Sequence, residues 1–179
     1  MIIVINDANI LIDLVTLDLV THFFSLPLVF HSTDIILDEL HTDQLACLEP
    51  FISNGTFKIM SLTSEDLLAI NNLQAEKAQL SPQDCSAIVC SKNLKGTLIT
   101  SDNNLRKFAT SKNLIVRGHL WVFDEMVAHD LLSPEEAIQK LTELNTRVNV
   151  RLNLPKAECE NRIKKWRLFN KVCLHIFIK

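Results

Sequence analysis

The sequence predicts an α/β fold, a central parallel sheet flanked by helices and followed by a helical C-terminal extension. Three observations lead there. Short apolar runs suited to buried strands alternate with longer stretches at helical spacing. Only 3 Gly and 5 Pro punctuate 179 residues, too few turn formers for a hairpin-rich all-β fold. The chain is 47% hydrophobic and 22% charged, which supplies a sizeable core and argues against disorder. That length fits a domain of ordinary size plus an appendage.

The elements follow in order. Residues 1–6 read as a buried strand, and their lack of a basic start argues against a signal peptide. Residues 8–16 form a helix that is apolar nearly all round. A short strand at 28–30 precedes helices at 33–41 and 44–53, which stop at Asn54-Gly55. Residues 57–60 are a weak strand. Residues 63–79 are a helix with Thr63 and Asp66 as its capping pair. Ser81-Pro82 opens a helix to about residue 93. Strands at 97–100 and 114–116 bracket a helix at 103–111, and 119–129 is helical. Ser133-Pro134-Glu135-Glu136 starts a helix to about 145, and a basic helix follows Pro155. The spacing divides the chain into a core domain at 1–129 and a basic helical extension at 130–179. The closing residues 172–178 are apolar for a terminus and read as an edge strand or an oligomer contact.

Composition removes several functional classes. No apolar run approaches the 18 or so residues a membrane span needs. The 5 Cys form no CxxC pair, so neither a disulfide framework nor a zinc knuckle is supported, and reduced thiols point to the cytoplasm. The 6 His lack metal-site spacing and read as structural or surface residues. With Gly only at 55, 96 and 118, no phosphate-cradling loop of the dinucleotide-binding kind can form. A phosphotransfer receiver would need a late strand-end Lys, and Lys107 and Lys112 fall in a helix. Charge is unevenly spread. Residues 147–179 carry nine Lys and Arg against two Glu, a net of +7, and the remainder carries nine against nineteen, a net of −10. Such an arm either grips a polyanion or docks on its own acidic body.

The chemistry-bearing residues are four acids. In a parallel sheet, functional side chains gather beyond the carboxyl ends of the strands. Two strands run directly into acids, Asp7 and Asp102. Each of these, and Asp84 in Ser81-Pro82-Gln83-Asp84, has an ordinary reading as a helix cap. Glu39 does not. On a helical wheel of residues 33–41 it falls between Ile35 and Ile36, inside the apolar arc. A carboxylate on an apolar face is costly unless paired or bound to metal. Close carboxylates resist joint ionisation, and a divalent cation resolves the conflict. All-oxygen ligation suits Mg²⁺ or Mn²⁺, which points to metal-dependent phosphodiester hydrolysis.

At these residues the sequence resembles the PIN-domain nucleases, in particular the VapC-type toxins of bacterial toxin–antitoxin pairs. Asp7-Ala8-Asn9-Ile10-Leu11-Ile12-Asp13 looks like the first acidic motif and Asp38-Glu39-Leu40 the second. Asp84 in its Ser-x-x-Asp helix start looks like the third, and Thr100-Ser101-Asp102-Asn103-Asn104-Leu105-Arg106 the fourth. The resemblance covers roughly residues 1–120. It implies a PIN-like three-layer fold and a Mg²⁺- or Mn²⁺-dependent endoribonuclease with Asp7, Glu39, Asp84 and Asp102 as catalytic metal ligands. It also implies an RNA substrate, a homodimer and inhibition by an antitoxin protein. The chain is longer than a compact toxin, and Asn103 stands where the fourth motif often carries a second acid.

Supporting roles follow from position. Asn9 orients Asp7 or a metal-bound water, while Asp13, one turn on, reads as a satisfied buried polar residue. Thr100 and Ser101 reach the site or a backbone phosphate. Arg106 pairs with Asp102 at i,i+4 or meets phosphate. The alternative from another class is a catalytically inactive PIN-like module that binds nucleic acid or protein through its basic arm.

Overall fold

The computed structural model describes residues 2–176, with side chains through residue 168. Five strands form one wholly parallel sheet in the order β3-β2-β1-β4-β5. They are β1 (Ile2–Asn6), β2 (Leu28–Thr33), β3 (Phe57–Met60), β4 (Thr97–Ile99) and β5 (Val116–Arg117). Between and around them lie α1 (Ala8–Thr16), α2 (Val20–Phe24), α3 (Asp34–Leu37), α4 (Thr42–Ser53), α5 (Ser64–Glu76), α6 (Pro82–Leu94), α7 (Asn103–Ser111), α8 (His119–Ala128), α9 (Pro134–Glu143) and α10 (Lys156–Ile176). The chain steps one way from β1 to β2 and β3, then returns past β1 to β4 and β5. The order therefore reverses between β1 and β4, where open α/β sheets place their ligand crevices.

The central strand explains its own sequence. Val4 and Ile5 of β1 are fully buried because both sheet faces are covered. Gly96, just before β4, is demanded by this packing. A Cβ there would collide with Ile5 Cδ1 and come within 3.1 Å of the Ile3 carbonyl. We expect Gly96→Ala to cost about 1–3 kcal/mol by overpacking, read as a lower urea midpoint at unchanged slope.

Two clusters of large side chains stand apart from each other in ring contacts. Phe23, Phe24, Phe30, Phe51 and Phe57 gather over β2 and β3, with Phe24 within 4.6–5.3 Å of the other four ring centres. In the other, Trp166 of α10 is buried against Phe123 of α8 at 6.2 Å. The segment after residue 130 is tied to the body by several bonds. Lys140 donates to the Leu17 carbonyl, Asn149 to Asp13, and Arg162 to Asp124. Arm charges are partly spent close to home, Arg147 on Glu143 and Arg162 on Glu158 as well as Asp124.

The structure departs from the sequence reading in several places. The helix expected over 33–41 is a single turn. Thr33 caps it at Ile36. Glu39 and Leu40 then bond three residues back, to Ile36 and Leu37, and the extended His41 starts α4 with Gln44 returning to its amide. Glu39 consequently lies past the helix end and is exposed, not on an apolar face. The helix α2 has no counterpart in the reading, because four of its five residues are Val, Thr and Phe, poor helix formers held by burial. Finally, residues 172–176 continue α10 and form no edge strand, while their side chains and residues 177–179 lie outside the described part.

Candidate active site

The strand-to-helix turn after β1 carries Asp7. It occupies the N-cap position of α1, where its carbonyl accepts from Ile10 and Leu11, yet its side chain makes no cap hydrogen bond. Its Oδ2 instead accepts from the Thr100 hydroxyl at 2.7 Å and from Asn9 Nδ2 at 3.4 Å. Asp7 is 2% exposed. Burial, then the Asp84 and Glu39 carboxylates, push its carboxyl up to about 6, against the pull of Thr100 and Asn9.

Asp102 lies just beyond β4, the strand beside β1. It does cap its helix, Oδ1 accepting from Leu105 N at 2.7 Å, and its own amide donates to Thr100 Oγ1. Thr100 thus links the two strand-end acids. Asp84 completes a capping box with Ser81, Oδ2 accepting the Ser81 amide at 2.9 Å. Burial first, then the Asp102 carboxylate, raise its pKa. The helix that carries it is pinned to the end of β2 through the Ser86 and Thr33 hydroxyls, 2.7 Å apart. Glu39 enters from the turn after α3, its pKa raised by desolvation and by Asp84.

The four acids therefore belong to one electrostatic neighbourhood at the reversal of strand order. In Asp7, Asp84 and Asp102 one carboxylate oxygen is committed to protein donors, and the other accepts none among the described residues. Hard anionic oxygens that raise one another's pKa are the donor chemistry a divalent cation such as Mg²⁺ or Mn²⁺ requires. Their spacing is open, however. Among the described residues no three His, Cys, Asp or Glu side chains group closely enough to hold a metal ion.

The supporting residues divide. Asn9 and Thr100 contact Asp7 as expected. Arg106 does not pair with Asp102. Its Nη2 donates to the carbonyls of Thr100 and Arg117, at 2.7 and 3.1 Å, tying α7 to β4 and β5. Ser101 shares a 2.5 Å hydrogen bond with His119 Nδ1.

His119 is the residue that sequence reasoning missed. It is 1% exposed at the start of α8, and its Nε2 stands 3.0 Å from Asp13 Oδ2. The two atoms are at ion-pair distance without an aligned hydrogen bond. Asn149 supplies Asp13 with a donor at 2.9 Å. Asp13, His119 and Ser101 thus form a chain from the apolar underside of α1 to the residue beside Asp102. The signal was Asp13 itself, since a buried acid demands a partner and the scattered His residues were the candidates.

A family model described as a PIN domain matches residues 3–167. The chain belongs to the PIN-domain family. The match continues well past the first 120 residues that carry the motifs and takes in α9 and much of α10. The parallel sheet between helical layers is a PIN-like α/β fold of the nuclease type. No curated protein matches the chain. None of the described helices is long and apolar enough to cross a membrane.

Proposed function

We propose that the protein is a Mg²⁺- or Mn²⁺-dependent endoribonuclease in which Asp7, Glu39, Asp84 and Asp102 hold the metal. The observation that carries this reading is Asp7, a buried carboxylate at the reversal of strand order, joined through Thr100 to the Asp102 amide and raised in pKa by burial and by the Asp84 and Glu39 carboxylates. A protein keeps such a destabilising arrangement where function needs the charge. When bound, the ion would activate a water and stabilise charge on the phosphoryl group. The chain's own part is positional. Thr100 and Asn9 fix the Asp7 carboxylate, Thr100 also receives the Asp102 amide, and the caps at Ser81 and Leu105 fix Asp84 and Asp102.

Within that reading the substrate is RNA, in keeping with the ordered motifs. The ordered motifs also support the role of toxin in a toxin–antitoxin pair, with a homodimer as the working form and the antitoxin as a separate protein. A second reading, a PIN-like module that binds without cutting, is favoured by the open spacing of the acids.

Cleavage of single-stranded RNA with Mn²⁺, and with EDTA in its place, tests the first reading. We expect internal cuts that EDTA stops and that Asp102→Asn reduces at least about 100-fold. Asn caps a helix as well as Asp does, so that variant keeps its fold. Full activity in Asp102→Asn would overturn the assignment. RNA binding with no Mn²⁺-dependent cutting would select the second reading.

A further inference from the structure

Beside Asp102 the surface opens into a cavity of about 420 Å³. Its lining includes Ser101 and Asn103, the residues flanking Asp102, with Arg106 and Arg117 as cations and Trp121 and Leu154 as apolar groups. Its electrostatics are the reverse of the acid cluster next door. Burial, then the nearby Arg117 charge, lower the Arg106 pKa. Among the described residues no carboxylate lies within ion-pair distance of either guanidinium. Arg162, also on the wall, is already held by Asp124 and Glu158. Arg106 Nη2 is held by the Thr100 and Arg117 carbonyls, but two cations kept close without an anion still repel each other and favour one nearby.

The backbone adds to this. The ten-residue helix α8 begins at the cavity, and its N-cap, Gly118, offers no side chain to the first amides. Uncapped N-terminal amides and the positive end of a helix favour an anion. Gly118 also makes room for the arginine. A Cβ there would meet Arg106 Nη2 at 2.5 Å and the Thr100 carbonyl at 3.2 Å. Bare backbone, a half-buried guanidinium and a second, exposed arginine therefore line one cavity together with an indole ring.

We propose that this cavity binds one nucleotide of single-stranded RNA, the neighbour of the phosphodiester cut at the carboxylates. Its phosphate meets Arg106, Arg117 and the start of α8, and its base lies against Trp121. Guanidinium–phosphate pairing and base–aromatic stacking are the recurrent means of holding single strands. The placement beside the scissile bond rests on the nuclease reading, whereas nucleotide binding can be measured without it.

The test uses the full-length protein in EDTA, so that nothing is cut. Anisotropy of a labelled pentauridylate and calorimetry with AMP and with inorganic phosphate supply three probes. Arg117→Gln removes an exposed charge and keeps the fold. It should weaken pentauridylate and AMP about 10-fold and lower the salt slope by about one. Gly118→Ala should weaken them similarly by displacing Arg106. Trp121→Ala should weaken AMP and leave phosphate binding unchanged. Equal AMP and RNA affinities in wild type and Arg117→Gln would overturn the proposal, as would phosphate binding as tightly as AMP with Trp121→Ala altering neither. Weakening as expected, in a protein that cuts no RNA with Mn²⁺, would uphold the nucleotide site and discard the nuclease reading.

Discussion

Replacing Asp7 with Asn should make the folded protein more stable at neutral pH while abolishing its response to Mn²⁺. The Asp7 carboxyl stands at about 6 in the folded chain against a usual value of 3.8, driven first by burial and then by Asp84 and Glu39. The native state therefore holds this proton more tightly than the unfolded one. The cost of ionising Asp7 in place is absent below pH 4, grows as pH rises towards 6, and is complete above it. At pH 7 the cost is roughly 3 kcal/mol, taking 1.36 kcal/mol per unit. The amide has no charge to bury, and its oxygen can still accept from Thr100. In EDTA at pH 7.5 the variant should melt higher by roughly 5–10 °C, and at pH 3.5 the two proteins should melt together. Millimolar Mn²⁺ should raise the melting point of wild type alone, since a ligand stabilises only the state that binds it. A variant less stable at pH 7.5, or one that still responds to Mn²⁺, would contradict the account.

The largest loss of stability is expected at Trp166→Ala. Trp166 is 1% exposed and packs on Phe123, joining α10 to α8. Truncating a buried Trp costs about 3–5 kcal/mol through lost transfer energy and the cavity left behind. Against a total of about 5–15 kcal/mol, that is a large share. Thermal melting should fall by roughly 10 °C or more, while the exposed neighbour change Lys164→Ala stays within about 0.5 kcal/mol. A loss at Trp166 no greater than at Lys164 would show that α10 is not held by this contact. The same packing bears on any truncation. Removing residues 147–179 would take away Trp166 and also the Asn149 donor to the buried Asp13, so lost RNA binding in that variant would not by itself locate the binding site.

Much of this was legible in the chain because local signals and tertiary demands agree. Ser81 and Ser133 each precede Pro and stand three residues before an acid, and both start helices as read. Thr63 and Asp66 do the same for α5. The strand-end acids Asp7 and Asp102 lie on one edge because parallel neighbours bring their carboxyl ends together. Glu39 was singled out on a mistaken premise. The wheel assumed a helix that the next capping arrangement cuts to one turn, yet the residue still comes within electrostatic reach of Asp84 through the turn. Arg106 and His119 were illegible for another reason. Arg106 seeks carbonyls on β4 and β5, and His119 meets an acid more than 100 residues away. Neither partner is marked by spacing along the sequence.

The lopsided placing of the aromatic residues has an optical consequence. Both tryptophans lie on α8 and α10, whereas the β2–β3 flank is filled with phenylalanine, and the chain has no tyrosine at all. Intrinsic emission therefore watches α8 and α10 and is nearly blind to the phenylalanine cluster over β2 and β3. Following urea unfolding by fluorescence and by far-ultraviolet dichroism together would time the release of the C-terminal helix separately from the melting of the sheet, with no label attached.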